Sequence, residues 1–233
     1  MKIEPAWGCG CTLARAAAAS VVFDVGAHTG GAAQVFLREL PQARVFAFEP
    51  HARSYAELCT RFAAEPRVVP IAAALGESDG RTIFHEGASP PTSSRWPRNV
   101  SGRRYFRSDF VMNTTTEVDM RSLDSFCVQE GITDIDLLKL DTQGGELEVL
   151  RGGMQMLSNG RIGVIVTEFF AVPHYEGAPL LDEIWHMLRE FGYGLFDLFC
   201  GPHADNGQLR YGDAVFVSSG YRQRHLETAP PEI

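Results

Sequence analysis

The segment Asp24-Val25-Gly26-Ala27-His28-Thr29-Gly30-Gly31 leaves an apolar run, Val21 to Val25, and enters a stretch with helical spacing. Gly26 permits a tight turn and close backbone approach. Gly30 or Gly31 lets a helix begin beside the strand with its N–H groups aimed at a ligand. The pattern is D-x-G-x-x-x-G, not the G-x-G-x-x-G that a dinucleotide pyrophosphate favours. Glu49 ends the next apolar run, 25 residues after Asp24. An ionised carboxylate only accepts hydrogen bonds, so at that place it suits both hydroxyls of a ribose. The plainer reading of Glu49, a charge stabilised by a helix N-terminus, leaves Asp24 and Gly26 in phase unexplained, so ribose binding is the expectation. Two further acids, Asp141 and Glu168, also end apolar runs, and His174 follows in the loop Val172-Pro173-His174-Tyr175.

Strands and helices must alternate to place these groups. Val21–Val25, Arg44–Phe48, Arg67–Ala73, Ile135–Leu140 and Ile162–Thr167 read as buried strands. Ala32, Val35, Phe36 and Leu40 follow helical spacing, as do Tyr55, Leu58 and Phe62. Leu147, Leu150, Met154 and Leu157 share a helix face that Gly152-Gly153 must weaken midway. Leu180, Ile184, Leu188 and Phe191 form an amphipathic helix closed by Gly192, and Tyr193–Leu198 and Asp213–Val217 are the final strands. Such alternation predicts an α/β fold with a doubly wound, mainly parallel sheet. The segment His85–Thr116 interrupts it with Pro90, Pro91, Pro97 and five arginines: Arg95, Arg98, Arg103, Arg104 and Arg107. That is too long for an idle connection, and a lid or substrate loop is the expectation. The division expected is an N-terminal segment 1–19, one domain 20–220 with an inserted loop at about 85–116, and a tail 221–233.

Twenty-one Lys and Arg stand against 29 Asp and Glu, a formal net charge of −8. This excludes a broad basic face for nucleic acid. No apolar run is long enough for a membrane span, and the first 20 residues lack the apolar stretch of a signal peptide. Five irregularly spaced cysteines do not read as a disulfide scaffold, which predicts a reducing cytoplasm. Cys9-x-Cys11 has no partners at zinc spacing, and no metal site is assigned. Cys59, Cys127 and Cys200 read as small buried residues.

These motifs resemble the FkbM family of S-adenosylmethionine-dependent methyltransferases. The resemblance rests on Phe23–Gly30, Phe46-Ala47-Phe48-Glu49-Pro50, Ala74-Leu75-Gly76, Ser122-Leu123-Asp124-Ser125-Phe126 and above all Ile135–Gly152. It extends over about Val21 to Val217, with His28 where the family usually has Asn and Gly145 where it usually has Ala. It implies a class I methyltransferase fold, a Rossmann-like seven-stranded sheet with the last strand antiparallel. It also implies methyl transfer, most often to a hydroxyl of a natural product, glycan or other small molecule. Asp24, Gly26, Ala27, His28, Gly30, Glu49, Pro50, Ala74, Leu75, Asp141 and Gln143 are then the expected cofactor-binding residues.

A hydroxyl acceptor must lose its proton, either to a base near the donor or with the help of a metal that acidifies the hydroxyl. Asp141, Glu168 and His174 are the catalytic candidates at or just beyond strand ends. Alternation along the strand puts Lys139 and Asp141 on one face, with a structural salt bridge as the simpler reading. Asp141 and Glu168 would suit Mg²⁺ as oxygen ligands, but two carboxylates are too few to claim a metal. Glu146 and Glu148 open a helix, and Glu148 is expected to do no more than meet its dipole. The acceptor pocket must come from the Arg-rich loop, the Glu168–Pro179 loop or a second subunit, which makes a homodimer one of the expectations. Two other functions stay open: a cofactor-fold protein that has lost catalysis and serves as a binding partner, and an NAD-linked oxidoreductase. The missing G-x-G-x-x-G argues against the latter.

Overall fold

The short apolar runs pair side by side. The computed structural model describes residues 4–87, 94–97, 99, 105 and 112–227. β1 (Val21–Val25), β2 (Arg44–Phe48), β3 (Val68–Ile71), β7 (Ile135–Leu140), β8 (Ile162–Phe170), β9 (Tyr193–Cys200) and β10 (Tyr211–Ser218) form a seven-stranded sheet of order β3-β2-β1-β7-β8-β10-β9. β3 to β8 in that order pair in parallel, and β10, the last strand of the chain, is antiparallel to both β8 and β9. The central strands β1, β2, β7, β8 and β10 are mostly apolar because both faces are covered, whereas the edge strand β9 is largely exposed.

One face carries α1 (Pro5–Ala16), α2 (Gly31–Glu39), α3 (Ala52–Arg61) and α8 (Ser219–His225), packed through Ala14, Val35, Phe36, Leu58 and Tyr221. The other carries α4 (Leu123–Glu130), α5 (Glu146–Arg151), α6 (Met154–Ser158) and α7 (Leu181–Glu190). There Phe126 meets Phe23, Phe46 and Phe48 edge-on, with ring centroids 5.7, 5.8 and 4.8 Å away. α1 lies in the segment set apart from the domain on sequence, yet Ala6 and Ala14 are fully buried and α1 approaches the sheet closely. A Cβ on Gly10 would stand 2.7 Å from Val166.

Several expectations take a different form. The third strand stops at Ile71, and Ala74–Gly76 becomes β4 of a separate three-stranded sheet, order β4-β6-β5. Its other members are β5 (Gly80–Gly87) and β6 (Met112–Ser122), so both described ends of the 85–116 segment are strand, paired antiparallel. The helix over 147–157 is broken into α5 and α6 rather than merely weakened. The reason is contact: a Cβ on Gly152 would lie 2.0 Å from the Gly76 carbonyl. Of the three cysteines expected to be buried, Cys127 is, Cys59 is half-buried and Cys200 is exposed. Among the described residues no helix is long and apolar enough to cross a membrane.

Candidate active site

The strand order reverses between β1 and β7, and a crevice opens there at the carboxyl ends of the strands. Gly26, at φ +75°, turns the chain against the loop after β7, where a Cβ would stand 1.9 Å from the Asp141 carbonyl. The Gly26 and Ala27 N–H groups both donate to the Phe48 carbonyl, at 3.1 and 2.9 Å, so they lock the turn onto β2. His28 is itself left-handed, at φ +49°. His, with Asn and Asp, is among the few non-glycine residues enriched in this region.

Beneath the turn lies a buried ion cluster. Lys139 Nζ is 3.0 Å from Asp24, 3.5 Å from Asp141 and 2.9 Å from the Gly26 carbonyl. Burial alone would lower the Lys139 pKa, but Asp24 and Asp141 outweigh it and raise it. Glu49 is 6% exposed and accepts the His28 and His51 N–H groups, one on each oxygen at 2.8 Å. Burial raises its pKa to about 7 even though those two bonds favour the charged form.

A cleft of about 260 Å³ opens over these groups. Of the residues expected to bind cofactor, Gly26, Ala27, His28, Glu49, Pro50, Ala74, Leu75, Asp141 and Gln143 line it. Asp24 and Gly30 do not. Asp24 is wholly buried and acts on the cleft through Lys139. Gly30, at φ +83°, faces Phe62 and Leu58, so its role is to bring α2 against α3. Trp7, Phe84, Lys139 and Arg95 line the cleft as well. Lys139 carries a sequence signal in its same-face relation to Asp141, and Arg95 as one of the arginines of the expected substrate loop; Trp7 and Phe84 arrive from elements remote in the chain.

The loop after β7 carries the remaining chemistry. Gln143, at φ +58°, donates from Nε2 to Asp141 at 3.1 Å and to Glu168 at 2.8 Å, while its Oε1 accepts the Tyr175 hydroxyl at 2.9 Å. Glu146 holds the loop from within, accepting the Thr142 N–H at 2.7 Å, the Thr142 hydroxyl at 2.9 Å and the Gly144 N–H at 3.0 Å. Glu168 is raised well above the usual carboxylate range, first by burial and then by Asp141, Glu146 and Asp213. Asp213, its cross-strand neighbour, is raised to about 7, mainly by burial. His174 is not a solvated loop residue. It is 4% exposed, its ring stands 4.5 Å from Tyr175 and 5.2 Å from Phe170, and it does not line the cleft. Glu168 does not line the cleft either, but reaches it through Gln143.

Residues 94–97 form a strap over this loop. Ser94 donates to the Gln143 carbonyl at 2.6 Å and its backbone pairs with His85. The Glu176 N–H donates to the Pro97 carbonyl at 2.8 Å. Arg95 is 3.1 Å from Glu148, so Glu148 does more than meet the α5 dipole. Arg98, Arg103, Arg104 and Arg107 lie outside the described residues. Among the described residues no three His, Cys, Asp or Glu side chains are grouped to hold a metal ion.

A doubly wound sheet of this order, with an antiparallel last strand and its cleft at the β1/β7 reversal, defines the class I methyltransferase fold. The chain belongs to the FkbM methyltransferase family: residues 24–195 match the methyltransferase FkbM domain. It is therefore a methyltransferase. The chain is 31% identical over 180 residues to the 2-O-methyltransferase NoeI of Sinorhizobium fredii, covering 73% of this chain and 72% of that one. It is 26% identical over 201 residues to the antimetabolite synthetase AmbE of Pseudomonas aeruginosa, covering 75% of this chain but only 9% of that far longer protein. Among solved structures, magnesium protoporphyrin IX methyltransferase of Synechocystis, with bound S-adenosylmethionine, aligns over 94% of this chain and 86% of its own at 10% identity and a TM-score of 0.49.

Proposed function

We propose that the chain methylates a hydroxyl of a small molecule, with Glu168 taking the hydroxyl proton. The observation that carries this is the Gln143 amide, which ties Glu168 to Asp141 at the edge of the cofactor cleft. The name of NoeI as a 2-O-methyltransferase supports a hydroxyl acceptor.

The side chains present suit the cofactor. Glu49 is a buried acceptor with a lone pair left on each oxygen for a ribose hydroxyl, and Pro50, Ala74 and Leu75 offer an apolar wall to a base. Gly26 brings the backbone close, and Asp141 is placed for an ammonium. When bound, the cofactor supplies an already activated methyl group, so the protein's share is largely positioning and exclusion of water. Gln143 orients Glu168 and Asp141. Glu168, whose proton affinity is raised by burial and the neighbouring acids, is the base. His174, packed between Phe170 and Tyr175, supports the loop rather than the proton transfer. The acceptor is not nucleic acid, given the acidic chain, and a second copy of the chain is one source of acceptor wall. The division 20–220 with an insertion, and a reducing cytoplasmic setting for the five free cysteines, complete this reading.

Single-turnover kinetics with candidate alcohols test it. Glu168→Gln is expected to lower the rate by roughly 10²–10⁴-fold with cofactor affinity intact. Asp141→Asn should damage affinity and rate together, and His174→Ala should leave the pH profile of the rate unmoved. Each variant is run with and without chelator, and loss of rate to chelator with recovery on Mg²⁺ would replace the carboxylate base with a metal. Near-full rate in Glu168→Gln would move the base elsewhere.

A further inference from the structure

The cleft has two dissimilar ends. Strand order places Glu49, at the end of β2, between the loop that follows β3 and the ends of β1 and β7. On the β3 side, Ala74, Leu75 and Phe84 present carbon. On the other side stand Gly26, Lys139 and Asp141, with Asp24 below. A nucleoside whose ribose meets Glu49 puts its flat, uncharged base against the apolar end, and its 5′ substituent then enters the charged end. There two carboxylates face one ammonium, leaving an excess of negative charge.

Trp7 closes that end. It comes from α1, outside the matched residues 24–195. Its ring lies 5.9 Å from Lys139 Nζ, so an aromatic surface borders the ion cluster. The helix that carries it is fixed: Ala6 and Ala14 are fully buried, and Gly10 leaves no room between α1 and Val166. An aromatic face held at the negative end of a cleft attracts a cation more than a neutral group of the same shape.

We propose that Trp7 is a cofactor-binding residue that recognises the positive sulfur of the methyl donor, so that the cleft prefers S-adenosylmethionine to S-adenosylhomocysteine, whose sulfur carries no charge after transfer. The inference rests on the reading of the cleft as the cofactor site. It gives the product a reason to leave: transfer removes the sulfur's positive charge that the ring holds.

Calorimetry on the full chain tests this with three ligands: S-adenosylmethionine, S-adenosylhomocysteine and an analogue bearing an amine in place of the methylated sulfur. The wild-type protein should bind both cations more tightly than the neutral product. In Trp7→Leu the affinity for both cations should fall about fivefold while that for the product changes less than twofold. Trp7→Phe, which keeps a smaller ring, should fall between. The readout is the ratio of cation to product affinity, which a general loosening of the fold would not move. An unchanged ratio in both variants, with all three ligands still binding, overturns the role of Trp7 and leaves the cofactor reading standing. Failure of the wild-type protein to bind any of the three overturns both.

Discussion

At the scale of single residues, the acids of the site do unlike work because their surroundings differ. Glu49 is buried but accepts two N–H groups, and its pKa is pushed to about 7. Ribose hydroxyls need the charged form. Cofactor affinity should therefore rise as pH climbs through about 7 and level off above about 8, and Glu49→Gln should flatten that rise. Loss of a charged acceptor should also weaken binding by about 1.5–3 kcal/mol, as calorimetry across pH would read. Asp24 is a second case. It lies under the cleft and neutralises Lys139, which is 3% exposed. Asp24→Asn leaves a buried ammonium with Asp141 at 3.5 Å as its nearest remaining carboxylate. We expect destabilisation by about 3 kcal/mol in urea unfolding, the low end of the cost of breaking a buried pair because one acid remains.

At the scale of elements, helix propensity and contact disagree at one position, and contact wins. Replacing Gly152 by Ala in an isolated helix would stabilise it by roughly 0.8–1.0 kcal/mol. Here the added Cβ would meet backbone, the Gly76 carbonyl at 2.0 Å, which cannot swing aside as a side chain would. α5 must shift away from β4, and overpacking of this kind typically costs about 1–3 kcal/mol. Gly152→Ala should thus lower the melting temperature, and a rise would mean that β4 yields freely. The same shift would disturb Glu146 and Glu148, which hold the loop after β7 and the strap, so cofactor affinity should drop with stability.

For the whole molecule, the raised carboxyls add up. Glu49, Glu146 and Asp213 each titrate near 7, and Glu168 lies well above its ordinary range. Folded protein keeps protons on these groups that the unfolded chain releases above about pH 4.5. The folded state then binds more protons, so stability falls as pH rises from about 4.5 to 7, by up to about 1.4 kcal/mol per pH unit for each group. Water screens half-buried Glu168 and Asp213, which reduces their share. Burial raises Glu148 as well, and His28, whose pKa burial lowers, opposes the trend as one group against five. Ligand-free protein should melt several degrees lower at pH 7.5 than at pH 5.5. A higher melting temperature at pH 7.5 would show that these carboxyls are ionised more easily than their burial implies.

The sequence alone determined the mainly parallel sheet and the strand-end residues of the cleft. Apolar runs of strand length alternating with helical spacing leave few other topologies, and the acids and glycines at strand ends must gather at one edge of such a sheet. Asp141, Gln143 and Glu49 were legible for that reason. Only the tertiary structure decided that Asp24 works through Lys139, that Glu146 holds its loop from within, and that His174 is packed between rings rather than bathed in water. It alone brought Trp7 from the first helix and Arg95 from the strap into the cleft. These depend on packing between elements far apart in the chain, and local period and propensity carry no information about which distant side chain a folded surface will meet.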